Sequence, residues 1–209
     1  MIYAENILIC IAFPLIVTLF FLTKSARRFV SSFLVGMVVC LISAYINGFI
    51  DMILEFPSAD MPVFISPMIE EIMKLLPLLF YFLIFSPGEK DFLIAAIGLG
   101  AGFATFENCC YILTSGANKL PYIMIRGLAV GVMHIVCIIF VSIGLIILRR
   151  FKTVSVAGIV GALALSMTFH ALYNLLVSEP GITSYLGYAL PLLSAAILYI
   201  PFKRYRGET

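Results

Sequence analysis

The stretch that decides the fold is VFISPMIEEIMKLLPLLFYFLIF, residues 63–85. It is long enough to cross a bilayer as a helix, yet Glu70, Glu71 and Lys74 stand where a lipid-facing helix would carry Leu or Val. Each such charge near the bilayer centre costs about 2.5–3.5 kcal/mol on insertion scales. Charges retained there point to a buried polar site. Lys74 lies three residues after Glu71 and four after Glu70, within reach of either on a helix, so one carboxylate is expected in an internal ion pair. The other is left beside a like charge in a low-dielectric setting, where it is suited to holding and releasing a proton. Pro67 and Pro77 bracket the motif, and each removes a backbone donor and allows a bend.

Composition agrees with a lipid solvent for the rest of the chain. The 209 residues are 63% hydrophobic and only 11% charged, with a mean hydropathy of +1.14. A soluble domain could not cover such a chain with polar surface. The reading is a single integral membrane domain over residues 1–209, all-α, a polytopic transmembrane helix bundle. Seven apolar spans are predicted, at about 7–22, 33–53, 63–85, 92–114, 123–148, 154–177 and 184–202. The first is short. The N-terminus, with Glu5 and no basic residue before the first span, reads as an uncleaved start rather than a secretory signal. Cys10, Cys40, Cys109, Cys110 and Cys137 lie in apolar runs without paired spacing and read as small hydrophobes. No nucleic-acid footprint is present.

Basic residues sort by loop. Lys24, Arg27 and Arg28 follow the first span, Lys90 the third, Arg149, Arg150 and Lys152 the fifth, and Lys203, Arg204 and Arg206 the seventh. The alternate loops hold Glu55 and Asp60, then Lys119, then Glu179. The positive-inside rule places the N-terminus outside and the C-terminus in the cytoplasm. On that topology Glu70 and Glu71 lie roughly 10–12 Å in from the outer end of the third span, and His134 about 16 Å in from the outer start of the fifth. Glu107, His170 and Asn174 fall in the outer thirds of the fourth and sixth spans. Four helices thus deliver polar groups to a similar depth, as expected of one site.

Small residues suit close packing around it. Gly158, Ala162, Ser166, His170 and Asn174 recur every four residues as one stripe, Gly127 and Gly131 precede His134, and Gly98, Gly100 and Gly102 precede Glu107. His134 and His170 are the two histidines of the chain. Asn174, one turn after His170, could donate beside it to a developing oxyanion. Glu107, with Tyr111 one turn later, is a ligand or hydrogen-bonding candidate, or a structural partner of Arg126 or Tyr111. Asp51, Asn47 and Arg126 sit near span ends and read as interfacial or structural. No serine-hydrolase elbow, H-E-x-x-H or phosphate loop occurs.

Glu70-Glu71-x-x-Lys74, then Phe106-Glu107-x-x-x-Tyr111, then His134, then His170-x-x-x-Asn174 together resemble the PrsW family of bacterial membrane proteases. That family is distantly similar to the CAAX prenyl endoproteases and bacteriocin-immunity membrane proteases. The resemblance covers roughly residues 30–200. One departure is that CAAX-type enzymes place a histidine a few residues after the phenylalanine of the second motif, where this chain has Glu107-Asn108-Cys109-Cys110-Tyr111. The role of that histidine then falls to His134 or Glu107.

The resemblance implies an endopeptidase of the bacterial cell membrane. It would make the site-1 cut in a single-span anti-sigma factor near the extracytoplasmic face, starting release of an envelope-stress sigma factor. In a metal-free version Glu70 or Glu71 is general base, His170 and Asn174 stabilise the oxyanion, and His134 positions water or protonates the leaving amine. In a metal version His134, His170 and either Glu107 or Glu71 hold a divalent ion such as zinc, in the stoichiometry of a His₂Glu site. A proton-coupled transporter or channel would also explain buried Glu, Lys and His, but no inverted repeat or second polar cluster is present. A third reading is a scaffold that binds a partner helix through the cluster.

Overall fold

The computed structural model describes residues 4–54, 60–115, 120–150 and 155–205. Glu55, Lys119, Lys152 and Arg206, used above to orient the chain, lie outside them. The described residues form seven α-helices: α1 (Ala4–Thr18), α2 (Lys24–Leu54), α3 (Ser66–Phe85), α4 (Glu89–Ser115), α5 (Leu120–Arg150), α6 (Ser155–Ser178) and α7 (Ile182–Tyr205). A π-helical turn, Met61–Ile65, runs directly into α3.

Five of these, α2, α4, α5, α6 and α7, are long and apolar enough to cross a membrane. Helix α3 differs because Glu70, Glu71 and Lys74 interrupt its apolar run. Helix α1 has 15 residues, about 22 Å of rise against a hydrocarbon core of about 30 Å. The first apolar stretch was expected to continue to Leu22, but the helix ends at Thr18 and the chain turns there, with Leu19 donating to Ile16 O and Phe20 to Val17 O. Helix α2 begins earlier than expected. Lys24, Arg27 and Arg28, expected in a loop, occupy its first turns, and Arg28 pairs with Asp91 in the first turn of α4. That pair fixes the starts of α2 and α4 at one level.

The outer helices turn large apolar side chains outward, including Phe49, Phe80, Leu83, Tyr185 and Ile197. The protein is a multi-pass membrane protein, and these faces meet lipid. Helices α4 and α5 are central, with 61% and 56% of their most apolar windows buried against 11% for α7.

Glycines set how closely the central helices lie. A Cβ on Gly102 would sit 2.0 Å from Phe33 O, one on Gly98 2.6 Å from Phe29 O, and one on Gly36 2.1 Å from Leu99 O. The backbones of α2 and α4 therefore touch directly. Gly100 faces α5, where a Cβ would come within 3.2 Å of His134 O, so the same glycine run seats the segment carrying His134. Gly144 admits Ala162 in the same way, bringing α6 onto α5.

One half of the bundle is apolar. Leu78 and Phe82 of α3 pack with Phe92, Ala96 and Leu99 of α4 and Ile138, Val141 and Leu145 of α5. Arg149 closes this end, donating to Pro87 O at 2.5 Å and lying over the Phe82 ring. The charges of α3 lie in the half N-terminal to Leu78, beside the C-terminal half of α4 and the N-terminal half of α5.

Candidate active site

Glu71 is fully buried and accepts three hydrogen bonds. Lys74 Nζ donates to its Oε1 at 2.5 Å, Ser166 Oγ to its Oε2 at 2.7 Å, and His170 Nδ1 approaches Oε1 at 2.8 Å. An ionised carboxylate only accepts, so Nδ1 of His170 carries the hydrogen and, in the neutral ring, Nε2 carries the lone pair. Helix α3 thereby sets the tautomer and rotation of a histidine on α6. Ser166 lies one turn before His170, and its Oγ also sits 3.2 Å from Cys137 O, which places the pair against α5.

Lys74 is equally buried. Besides Glu71, its Nζ lies 2.9 Å from His134 Nδ1 and 4.8 Å from the centroid of the Phe103 ring. The other ring nitrogen of His134 contacts Glu107 Oε2. Both nitrogens of His134 are thus engaged by protein groups, one on each side. The two imidazoles stand perpendicular, with centroids 5.0 Å apart.

Glu70 points elsewhere, as a residue about 100° around the helix from Glu71 must. Its Oε2 is buried and makes no hydrogen bond among the described residues; the nearest opposite group is His170 Nε2 at 3.9 Å. Glu70, His134 and His170 each offer a ligand atom, all within 4.8 Å of one another. An orphaned buried carboxylate oxygen, facing the one imidazole nitrogen left free by the Glu71 bond, is a donor set that a divalent cation would complete. The carboxylates named from sequence as ligands are placed differently. Glu71 is occupied by its three donors, and Glu107 stands against His134.

A cavity of about 380 Å³ opens beside this cluster, with Glu70, Glu107, His170 and Asn174 in its wall. Glu71, Lys74 and His134 lie behind the wall. Asn174 Nδ2 donates to Pro62 O in the π turn at 2.8 Å, so in this state one of its amide hydrogens positions the segment leading into α3. Tyr111 and Tyr122, both in the cavity wall, meet hydroxyl to hydroxyl at 3.2 Å.

Sequence reasoning missed Ser166 as a polar member of the site, having read it as a small residue in a packing stripe. Its position one turn from His170 was the available signal. Arg126, read as interfacial or structural, lines the cavity. Asn47, also read that way, has a buried Oδ1 without a partner among the described residues.

A family model described as PrsW family intramembrane metalloprotease matches residues 24–201. The chain belongs to that family. No curated protein and no solved structure matches it. Membership in the PrsW family makes the protein a peptidase of the membrane, and the transporter and scaffold readings give way to it. The match begins at the first residue of α2 and leaves α1 outside.

Proposed function

We propose that this PrsW-family protein is a metal-dependent endopeptidase of the bacterial cell membrane, with Glu70, His134 and His170 as the residues that hold the ion, His134 giving up its Nε2 contact with Glu107 to do so. The observation that carries the reading is the pairing of an unsatisfied Glu70 Oε2 with the free Nε2 of a histidine anchored by Glu71. A divalent ion, zinc by the His₂Glu donor set, supplies Lewis acidity toward the scissile carbonyl when bound there.

The protein groups divide the remaining work. Glu71, with Lys74 and Ser166 bound to it, fixes the His170 ring. Lys74 holds His134 from its Nδ1 side. Glu107 is the carboxylate of the cavity wall left over once Glu70 is used as a ligand. Its Oε2, once released from His134 Nε2, would take a proton from the attacking water and return it to the leaving amine as the C–N bond breaks. Asn174, one turn beyond His170, has an amide hydrogen beyond that given to Pro62 and donates it to the developing oxyanion.

The substrate is a single-span membrane protein, cut near the extracytoplasmic face. The anti-sigma factor assignment and site-1 position rest on the family resemblance. The outer-half depth rests on loop charges, with the N-terminus outside, the C-terminus cytoplasmic and seven spans. The test is cleavage of a purified single-span anti-sigma substrate in detergent, with Glu70→Ala as the blank. A chelator should abolish product and zinc restore it. Turnover indifferent to the chelator but lost in Glu70→Ala would refute the metal site and favour Glu70 as a metal-free base.

A further inference from the structure

Among the described residues lining the cavity, Arg126 is the lone lysine or arginine. Its guanidinium lies over the Tyr111 ring, the central carbon 3.3 Å from the centroid, and Nη1 donates to Asn108 Oδ1 at 2.6 Å. Asn108 is held in turn, donating to Gly127 O at 3.3 Å. Stacked and tethered, the planar fork is fixed before any ligand arrives.

Its counter-charge is incomplete. The nearest carboxylate oxygen, Glu107 Oε1, is 3.7 Å from Nη2, beyond hydrogen-bond length. The other oxygen of Glu107 is taken by His134. Were Arg126 simply the structural partner of Glu107, a bidentate contact at about 2.8 Å would be expected in so confined a setting. The side chain is instead 15% exposed, keeping most of its five N–H donors for what enters the cavity. Glu70 and His170 share this cavity, so whatever reaches Arg126 belongs to the molecule that is cut. An endopeptidase substrate presents no chain terminus there and its main-chain carbonyls carry no charge, so the anion that Arg126 lacks would come from a side chain.

We propose that Arg126 determines specificity by binding an acidic side chain, Asp or Glu, of the substrate close to the scissile bond. This rests on the protease reading above. The test uses the full-length protein in detergent and labelled single-span peptides in which Glu is walked through successive positions flanking the span, with Gln in the same place as control. Binding is read by fluorescence anisotropy, and product is read by mass spectrometry in the same samples. At one position Glu should bind about tenfold or more tighter than Gln. Arg126→Gln should erase that ratio, and Arg126→Glu should turn the preference toward Lys at the same position. Equal binding of Glu and Gln peptides by the wild-type protein at every position would overturn the proposal, with no variant needed. So would a ratio that survives Arg126→Gln. A Glu preference without product in any sample would refute the protease reading and leave the Arg126 assignment standing.

Discussion

Lys74→Met isolates the ion pair on which the site is built. At 2.5 Å the Coulomb attraction between Lys74 and Glu71 is about 7 kcal/mol at an effective dielectric of about 20. The desolvation of two fully buried charges consumes much of that, so the pair itself adds little net stability. Removing only the lysine is another matter. Glu71 keeps its bonds from Ser166 and His170 but loses its cationic partner while remaining at 0% exposure. Breaking one side of such a pair costs about 3–5 kcal/mol. Adding Glu71→Gln removes the stranded charge, and the double variant should recover to within about 1–2 kcal/mol of the parent. The assay is reversible unfolding in mixed micelles titrated with SDS, completed as a double-variant cycle. A cost below about 1 kcal/mol for Lys74→Met, or a double variant no better than the single, would refute the view that Lys74 exists to neutralise Glu71.

Gly102→Ala should destabilise the protein by about 1–3 kcal/mol or more in the same titration, because the new methyl meets Phe33 O and the backbone cannot give way as a side chain would. Gly158→Ala, where a Cβ meets nothing within 4 Å, is its control and should change little. Ser166→Ala should cost about 1–2 kcal/mol through the lost bond to Glu71, and should slow cleavage further by loosening His170. Glu70→Gln and His170→Gln should each lower bound metal, measured by elemental analysis on folded protein, from about one ion per chain to well under half. For the orientation, a cysteine at Glu179 in a cysteine-free background should react with an impermeant maleimide on intact cells, and one at Lys90 only after permeabilisation.

The helices were legible because lipid as solvent imposes a simple rule: an apolar run of sufficient length must be a helix, since no other open structure satisfies its backbone. Glu70, Glu71, Lys74, Glu107, His134 and His170 could be named because each breaks such a run. Which carboxylate faces which partner was not legible. Glu70 and Glu71 are interchangeable as text, and only the rotation of α3 against α6 decides that Glu71 anchors His170 while Glu70 stays unsatisfied. Ser166 was hidden because small residues in a stripe usually report packing. Arg126 was hidden because arginine near a span end usually reports the interface. The end of α1 was missed because Phe20, Phe21 and Leu22 prolong the apolar text past the point where the backbone turns.

The seam between α2 and α4 has a consequence for traffic through the bundle. Where two helices meet through side chains, rotamers can rearrange and a third helix can be admitted without tearing anything. At Gly36, Gly98 and Gly102 no side chain of the glycine's own stands in between, because main chain rests on main chain. Parting the two helices would forfeit these close contacts, so the pair is expected to move as one unit. A membrane substrate on its way to Glu70 would therefore be expected to enter elsewhere than through this seam.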